Sequence, residues 1–214
     1  DYYPRLSAVA YDNELSKTTI NQQAEVALLI LSPIVIVFTV FIHSVIVILY
    51  SDKFLAVDTM VLWAAIGMLF RATSWSLGFL LLAKGASKLY LINAIFFESY
   101  FLLFNILGYK YGGLTGLGLS YALGYFASTV QMSVVCSKKY MVKFTPRLLQ
   151  IFIFQFILAL CSLIAVLTLN NPYPYLVGVI LIGISTWYSV KELNKRMDFK
   201  AIISGLIKKY PFKK

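Results

Sequence analysis

Two ionisable side chains stand inside otherwise apolar runs: Arg71 in RATSWSLGFLLLAKG and Glu98 in INAIFFESYFLL. A charge at the centre of a bilayer costs about 2.5–3.5 kcal/mol on insertion scales, so such residues are kept where they are paired or wet. The guanidinium is a planar fork of donors suited to phosphate or carboxylate. The midpoint between positions 71 and 98 falls inside KGASK, residues 84–88. If the chain turns there between two antiparallel helices, both charges lie roughly 15–20 Å from the turn, at about 1.5 Å per residue. Two chemistries are open to them. One is an ion pair that registers the two helices. The other is an anion site on Arg71, with Glu98 holding or gating it. Gly67, Ser74, Trp75 and Gly78 share the helix face of Arg71, at i−4, i+3, i+4 and i+7. That face is small, polar and aromatic, as a cavity wall would be.

The remaining candidates are fewer. Asp58 lies at the outer end of the Arg71 helix, where an interfacial carboxylate is cheap. His43 is the sole histidine, which excludes zinc or triad chemistry that depends on several. Cys136 and Cys161 stand alone with no CxxC pattern, so free thiols are expected, and no metal or cofactor site.

The elements that must position these residues are membrane helices. Of 214 residues, 60% are hydrophobic and 13% charged, with mean hydropathy +0.79. A soluble domain carries about 25% charged residues. Six runs are long enough to span, near 26–49, 57–83, 89–108, 113–135, 150–169 and 174–190. Alternate connections, starting with the N-terminal segment, hold two, two, four and eight Lys or Arg, whereas the opposite set holds only Lys53 and Lys110. By the positive-inside rule both ends are expected in the cytoplasm. The net charge of +10 is therefore read as a topology signal and an attraction to anionic lipids, not as a nucleic-acid footprint. In the tail, Phe199, Ile202, Ile203, Leu206, Ile207 and Tyr210 recur at helical spacing between lysines, the pattern of an amphipathic helix on the membrane face.

Within the spans, Gly116, Ser120, Gly124 and Ser128 recur every four residues and predict close helix packing. Asn93, Asn105, Gln131 and Gln155 predict interhelical hydrogen bonds. Pro33 and Pro146 predict a kink and a loop boundary.

The ordered series DYYPRLSAVAYD, NQQAEVALLILSP, VILYSDKF, RATSWSLGFLLLAKG and GLTGLGLSYALGY resembles the polysaccharide flippases of the multidrug/oligosaccharidyl-lipid/polysaccharide superfamily, above all the O-antigen (Wzx-type) translocases. The resemblance covers roughly residues 1–136; the last two spans match in hydropathy and placement only. It implies an all-α polytopic membrane protein whose six transmembrane helices form part of a two-lobe fold like that of the multidrug exporters. It places residues 1–24 as a cytoplasmic segment, 25–136 as four helices of the C-terminal lobe, 137–149 as a cytoplasmic loop, 150–190 as two further helices and 191–214 as a basic tail. The PRLS string, Pro4 to Ser7, would follow the family's eighth helix. The chain opens on Asp1 without Met and is expected to be a piece of a longer protein.

The family moves undecaprenyl-diphosphate-linked oligosaccharides across the bacterial inner membrane by alternating access. The resemblance therefore implies a phosphate-binding role for Arg71 and a sugar-stacking face on Trp75, with Ser74 beside them. The implied partners are the lipid-linked oligosaccharide, anionic lipids and other polysaccharide-assembly membrane proteins. An ion-coupled small-molecule exporter of the same superfamily is the alternative, and acidic groups would then dominate the cavity. A sugar polymerase is disfavoured by the short outer loops, and a purely structural subunit would not need Arg71 and Glu98.

Overall fold

The computed structural model describes residues 2–195, and every regular element among them is helical. Helix α1 (Tyr2–Ala8) is followed by α2 (Asn13–Leu49), which starts well before the first apolar run. Its cap explains the early start: the Asp12 carboxylate accepts hydrogen bonds from Glu14 N at 2.8 Å and Leu15 N at 3.1 Å. The segment 1–24, read above as a connection, is thus largely helical. Hydropathy locates the part of a helix that lipid surrounds, not the polar turns before it. Pro33 lies within α2, which stays helical through it.

A short 3-10 helix, Asp52–Val57, leads into α3 (Asp58–Ala83). Gly85, at φ 70°, ends α3 in a tight turn, with Gly85 N bonded to Leu82 O at 3.0 Å and Ala86 N to Leu81 O at 2.8 Å. This Schellman pattern needs a left-handed residue, and glycine adopts it without steric cost.

Helix α4 (Ser87–Tyr140) runs for 54 residues. A straight helix of that length would reach about 80 Å, well beyond the ~30 Å hydrocarbon core. It reverses instead at Gly113, whose φ 56° and ψ −139° are open to glycine alone. The two arms, residues 87–112 and 114–140, lie back to back: Asn105 meets Ser120, and Gln131 meets Asn93. Pairs on either side of the tip stay in one register, as in an antiparallel hairpin. The chain therefore crosses six times, by α2, α3, the two arms of α4, α5 (Pro146–Thr168) and α6 (Tyr173–Asn194). Each of these long helices is apolar enough to span, and the protein is an all-α, multi-pass membrane protein.

The expected loop 137–149 shrinks to residues 141–145, because α4 continues to Tyr140 and Thr145 caps α5 through Leu148 N at 3.2 Å. Asn21 of α2 clips this connection, donating to Lys143 O at 3.1 Å and accepting from Thr145 N at 2.8 Å. Residues 191–194 close α6, and the amphipathic tail expected beyond them lies outside the described residues.

Helix α2 is the centre of the bundle, touching α3, α5 and α6, while α4 packs on α3. In lipid there is little hydrophobic drive between helices, so close approach and polar links must hold them. Gly178 of α6 lets Val40 of α2 press against its backbone. Gln155 of α5 donates to Ser189 Oγ at 2.9 Å and accepts from Ser185 Oγ at 2.7 Å. Phe70 meets Phe126, Phe152 and Phe156, joining α3 to α4 and α5.

Candidate functional site

A cavity of about 380 Å³ opens between α3 and the two arms of α4. Helix α3 contributes Arg71, Ser74, Trp75 and Gly78, the face read from helical spacing. The first arm brings Tyr90, Asn93, Phe97 and Glu98, and the second brings Tyr125, Ser128 and Gln131. Both charged residues face one cavity from opposite sides of the Gly85 turn.

Arg71 is held by rings. Its Nη1 donates to the Tyr121 hydroxyl at 3.0 Å, and its guanidinium lies 4.7 Å from the Trp75 ring and 5.3 Å from that of Tyr125. The ring faces supply a neutral, polarisable bed for the cation. Nε is buried and unpartnered. Ser74 is buried and donates its hydroxyl to Arg71 O at 3.1 Å, so it shapes the local backbone as well as lining the cavity. Trp75 is 56% exposed at the open side.

Glu98 does not pair with Arg71. Among the described residues the ion pairs are Lys17–Glu14, His43–Asp58, Arg147–Glu192 and Lys195–Glu192. Of the two arrangements open to these residues, the direct Arg71–Glu98 ion pair is not formed. The guanidinium is instead turned onto the Tyr121 hydroxyl and the rings of Trp75 and Tyr125, and Tyr125 packs on Phe97, the residue before Glu98, at 5.4 Å. Equal distance from the turn put the two groups at one cavity but did not bring them into contact.

Gly67 does not line the cavity either. A Cβ there would sit 2.8 Å from Tyr121 Cδ1 and 3.0 Å from Ala122 Cα, so its bare backbone is what admits the Tyr121 ring. Tyr121 in turn donates to Met68 Sδ at 3.5 Å while accepting from Arg71.

The four-residue row divides along its length. Gly116 packs on Gly108, Ser120 donates to Asn105 Oδ1 at 2.8 Å, and Gly124 admits Phe101. Ser128, further along, lines the cavity. Gln131 ties the arms together on the cavity wall, donating to Asn93 Oδ1 at 2.9 Å and accepting from the Tyr100 hydroxyl at 2.9 Å.

Tyr121 and Tyr125 went unread in the sequence. Their signal is the SYALGY stretch, where two phenols recur four residues apart beside the small-residue row. At the other end of α3, His43 and Asp58, read separately above, come together with Nδ1 and Oδ2 3.1 Å apart. Both cysteines are free thiols. No group of three or more His, Cys, Asp or Glu gathers among the described residues.

The site thus offers one buried-edge cation on an aromatic bed, amide and hydroxyl groups beside it, and a separate carboxylate. Comparison of the chain with known protein families, curated proteins and solved structures finds no match.

Proposed function

We propose that this chain is part of a flippase that carries undecaprenyl-diphosphate-linked oligosaccharide, an O-antigen or similar repeat unit, across the bacterial inner membrane by alternating access. The observation that carries this reading is the state of Arg71. It is a guanidinium within a membrane-spanning helix, with no carboxylate partner among the described residues, one N–H on the Tyr121 phenol and Nε left unbonded. An unneutralised cation inside a membrane bundle favours an anionic ligand, and a diphosphate matches its donor fork. Trp75 provides a ring for sugar stacking, and Ser74, Asn93 and Gln131 bring polar groups beside it. No chemical step is needed, so the protein is read as a transporter rather than an enzyme. The lysine-rich end, with the Gly85 turn and the 141–145 connection, is assigned to the cytoplasm by the positive-inside rule. Anionic lipids and other polysaccharide-assembly membrane proteins are its expected neighbours there.

One observation favours a second reading. Glu98 is exposed on the cavity and has no ion-pair partner among the described residues, as a proton-coupled exporter of cationic small molecules would require. The two readings part on substitution. Cells carrying Arg71→Ala should lose surface polysaccharide and cells carrying Arg71→Lys should retain some, with drug tolerance unchanged in Glu98→Gln. Normal surface polysaccharide in Arg71→Ala would refute the flippase reading.

A further inference from the structure

The cavity presents two charges of opposite sign that do not neutralise each other. Arg71 of α3 and Glu98 of the first α4 arm are the charged residues among those that line it. Among the described residues, Glu98 makes no ion pair and no hydrogen bond, and it is exposed. Several other polar groups on the same walls are already engaged. Asn93 donates to Leu89 O at 2.8 Å and accepts from Gln131, whose carbonyl takes the Tyr100 hydroxyl. Ser74 donates to Arg71 O. The charged capacity left for a ligand lies on the guanidinium, whose Nε is unbonded, and on the Glu98 carboxylate.

An anion alone is a poor match for such walls. A charged group inside a membrane bundle is costly unless it is paired or wet. A diphosphate on Arg71 would satisfy the guanidinium but leave Glu98 facing added negative charge in the same cavity. The space, about 380 Å³, is that of a small-ligand site. A polar head carrying both signs meets both residues, its anion on the donor fork and its cation on the carboxylate.

We infer that the cavity selects a zwitterionic head, a phosphate joined to a saccharide that carries a free ammonium group. Arg71 takes the phosphate, and Glu98 takes the ammonium. The inference rests on the flippase reading and narrows its substrate class to repeat units with an unacylated amino sugar beside the diphosphate. Acylation turns an ammonium into a neutral amide, so Glu98 reads the state of one nitrogen. Phosphate and ammonium also occur together in an ethanolamine phospholipid, and the test separates the two sources.

The test is equilibrium binding to the chain in phosphatidylglycerol nanodiscs at about pH 6, where primary amines and carboxylates as classes are ionised. The probes are undecaprenyl diphosphate-linked glucosamine, its N-acetyl counterpart and undecaprenol. The free amine should bind about tenfold more tightly than the N-acetyl form, the range of a hydrogen bond between charged groups. Glu98→Gln should abolish that difference while both diphosphates keep their advantage over undecaprenol, with thermal unfolding showing that the variant is folded. Equal affinity for the amine and N-acetyl probes in the parent, or a preference that survives in Glu98→Gln, overturns the inference. Added phosphatidylethanolamine should leave the glucosamine probe in place; its displacement would assign the site to the phospholipid and overturn the inference as well. If neither diphosphate outbinds undecaprenol in the parent, the flippase reading itself fails, and this inference with it.

Discussion

The Tyr121 hydroxyl accepts a hydrogen bond from Arg71 Nη1 at 3.0 Å and donates its own proton to Met68 Sδ at 3.5 Å. This relationship decides how the cation is presented. A phenol orients the guanidinium without neutralising it, whereas a carboxylate in the same place would cancel its charge. Gly67 makes it possible by leaving room for the ring.

Tyr121→Phe keeps the ring on Gly67 and deletes only the hydroxyl. A hydrogen bond to a charged group is worth about 1.5–3 kcal/mol. The variant should bind undecaprenyl diphosphate about tenfold or more weakly. Its melting temperature in nanodiscs should move much less than in Tyr121→Ala, which also loses the ring. Equal binding by Tyr121→Phe and the parent would show that the phenol does not position Arg71.

Arg71 and Glu98 are neighbours across a cavity rather than an ion pair, so replacing both by leucine should not restore activity lost in Arg71→Leu. Surface polysaccharide measured in the two strains checks this. Recovery in the double variant would mean the two charges matter only to each other.

Trp75 is largely exposed, and its ring carries the Arg71 guanidinium at 4.7 Å. A cation–π contact contributes about 0.5–2 kcal/mol. Trp75→Ala should therefore slow transport several-fold while thermal stability stays near that of the parent. A large loss of stability would place Trp75 in packing instead.

Close backbone approach separates the glycines. A Cβ at Gly118 would collide with Met60 O, and one at Gly116 with Gly108 O. Backbone cannot swing aside, so Gly118→Ala and Gly116→Ala should each destabilise by about 1–3 kcal/mol or more. Gly183 meets nothing within 4 Å, and Gly183→Ala should be neutral or slightly stabilising. Thermal unfolding of the three variants in one lipid composition gives the comparison.

Much of this arrangement was legible in the sequence, for identifiable reasons. Hydropathy found six crossings because lipid requires about 20 apolar residues per helix. The α4 reversal followed from YKYGG, since Gly113 adopts a backbone geometry closed to other residues. The cavity face of α3 followed from helical spacing around Arg71. The partners of Arg71 did not, because cation-on-ring contacts depend on how two helices rotate against each other. Spacing from a turn sets depth, whereas rotation sets contact, and here rotation turns Arg71 onto Tyr121, Trp75 and Tyr125 rather than onto Glu98. The early start of α2 was hidden too, because its cap at Asp12 lies in polar sequence.

The most direct measurement is equilibrium binding to the chain in nanodiscs of two lipids that differ only in charge, undecaprenyl diphosphate and undecaprenol. The diphosphate should bind at least about tenfold more tightly, the worth of one charge-assisted hydrogen bond, and Arg71→Gln should remove most of the difference. Equal affinity for the two lipids, or a preference that persists in Arg71→Gln, would contradict it.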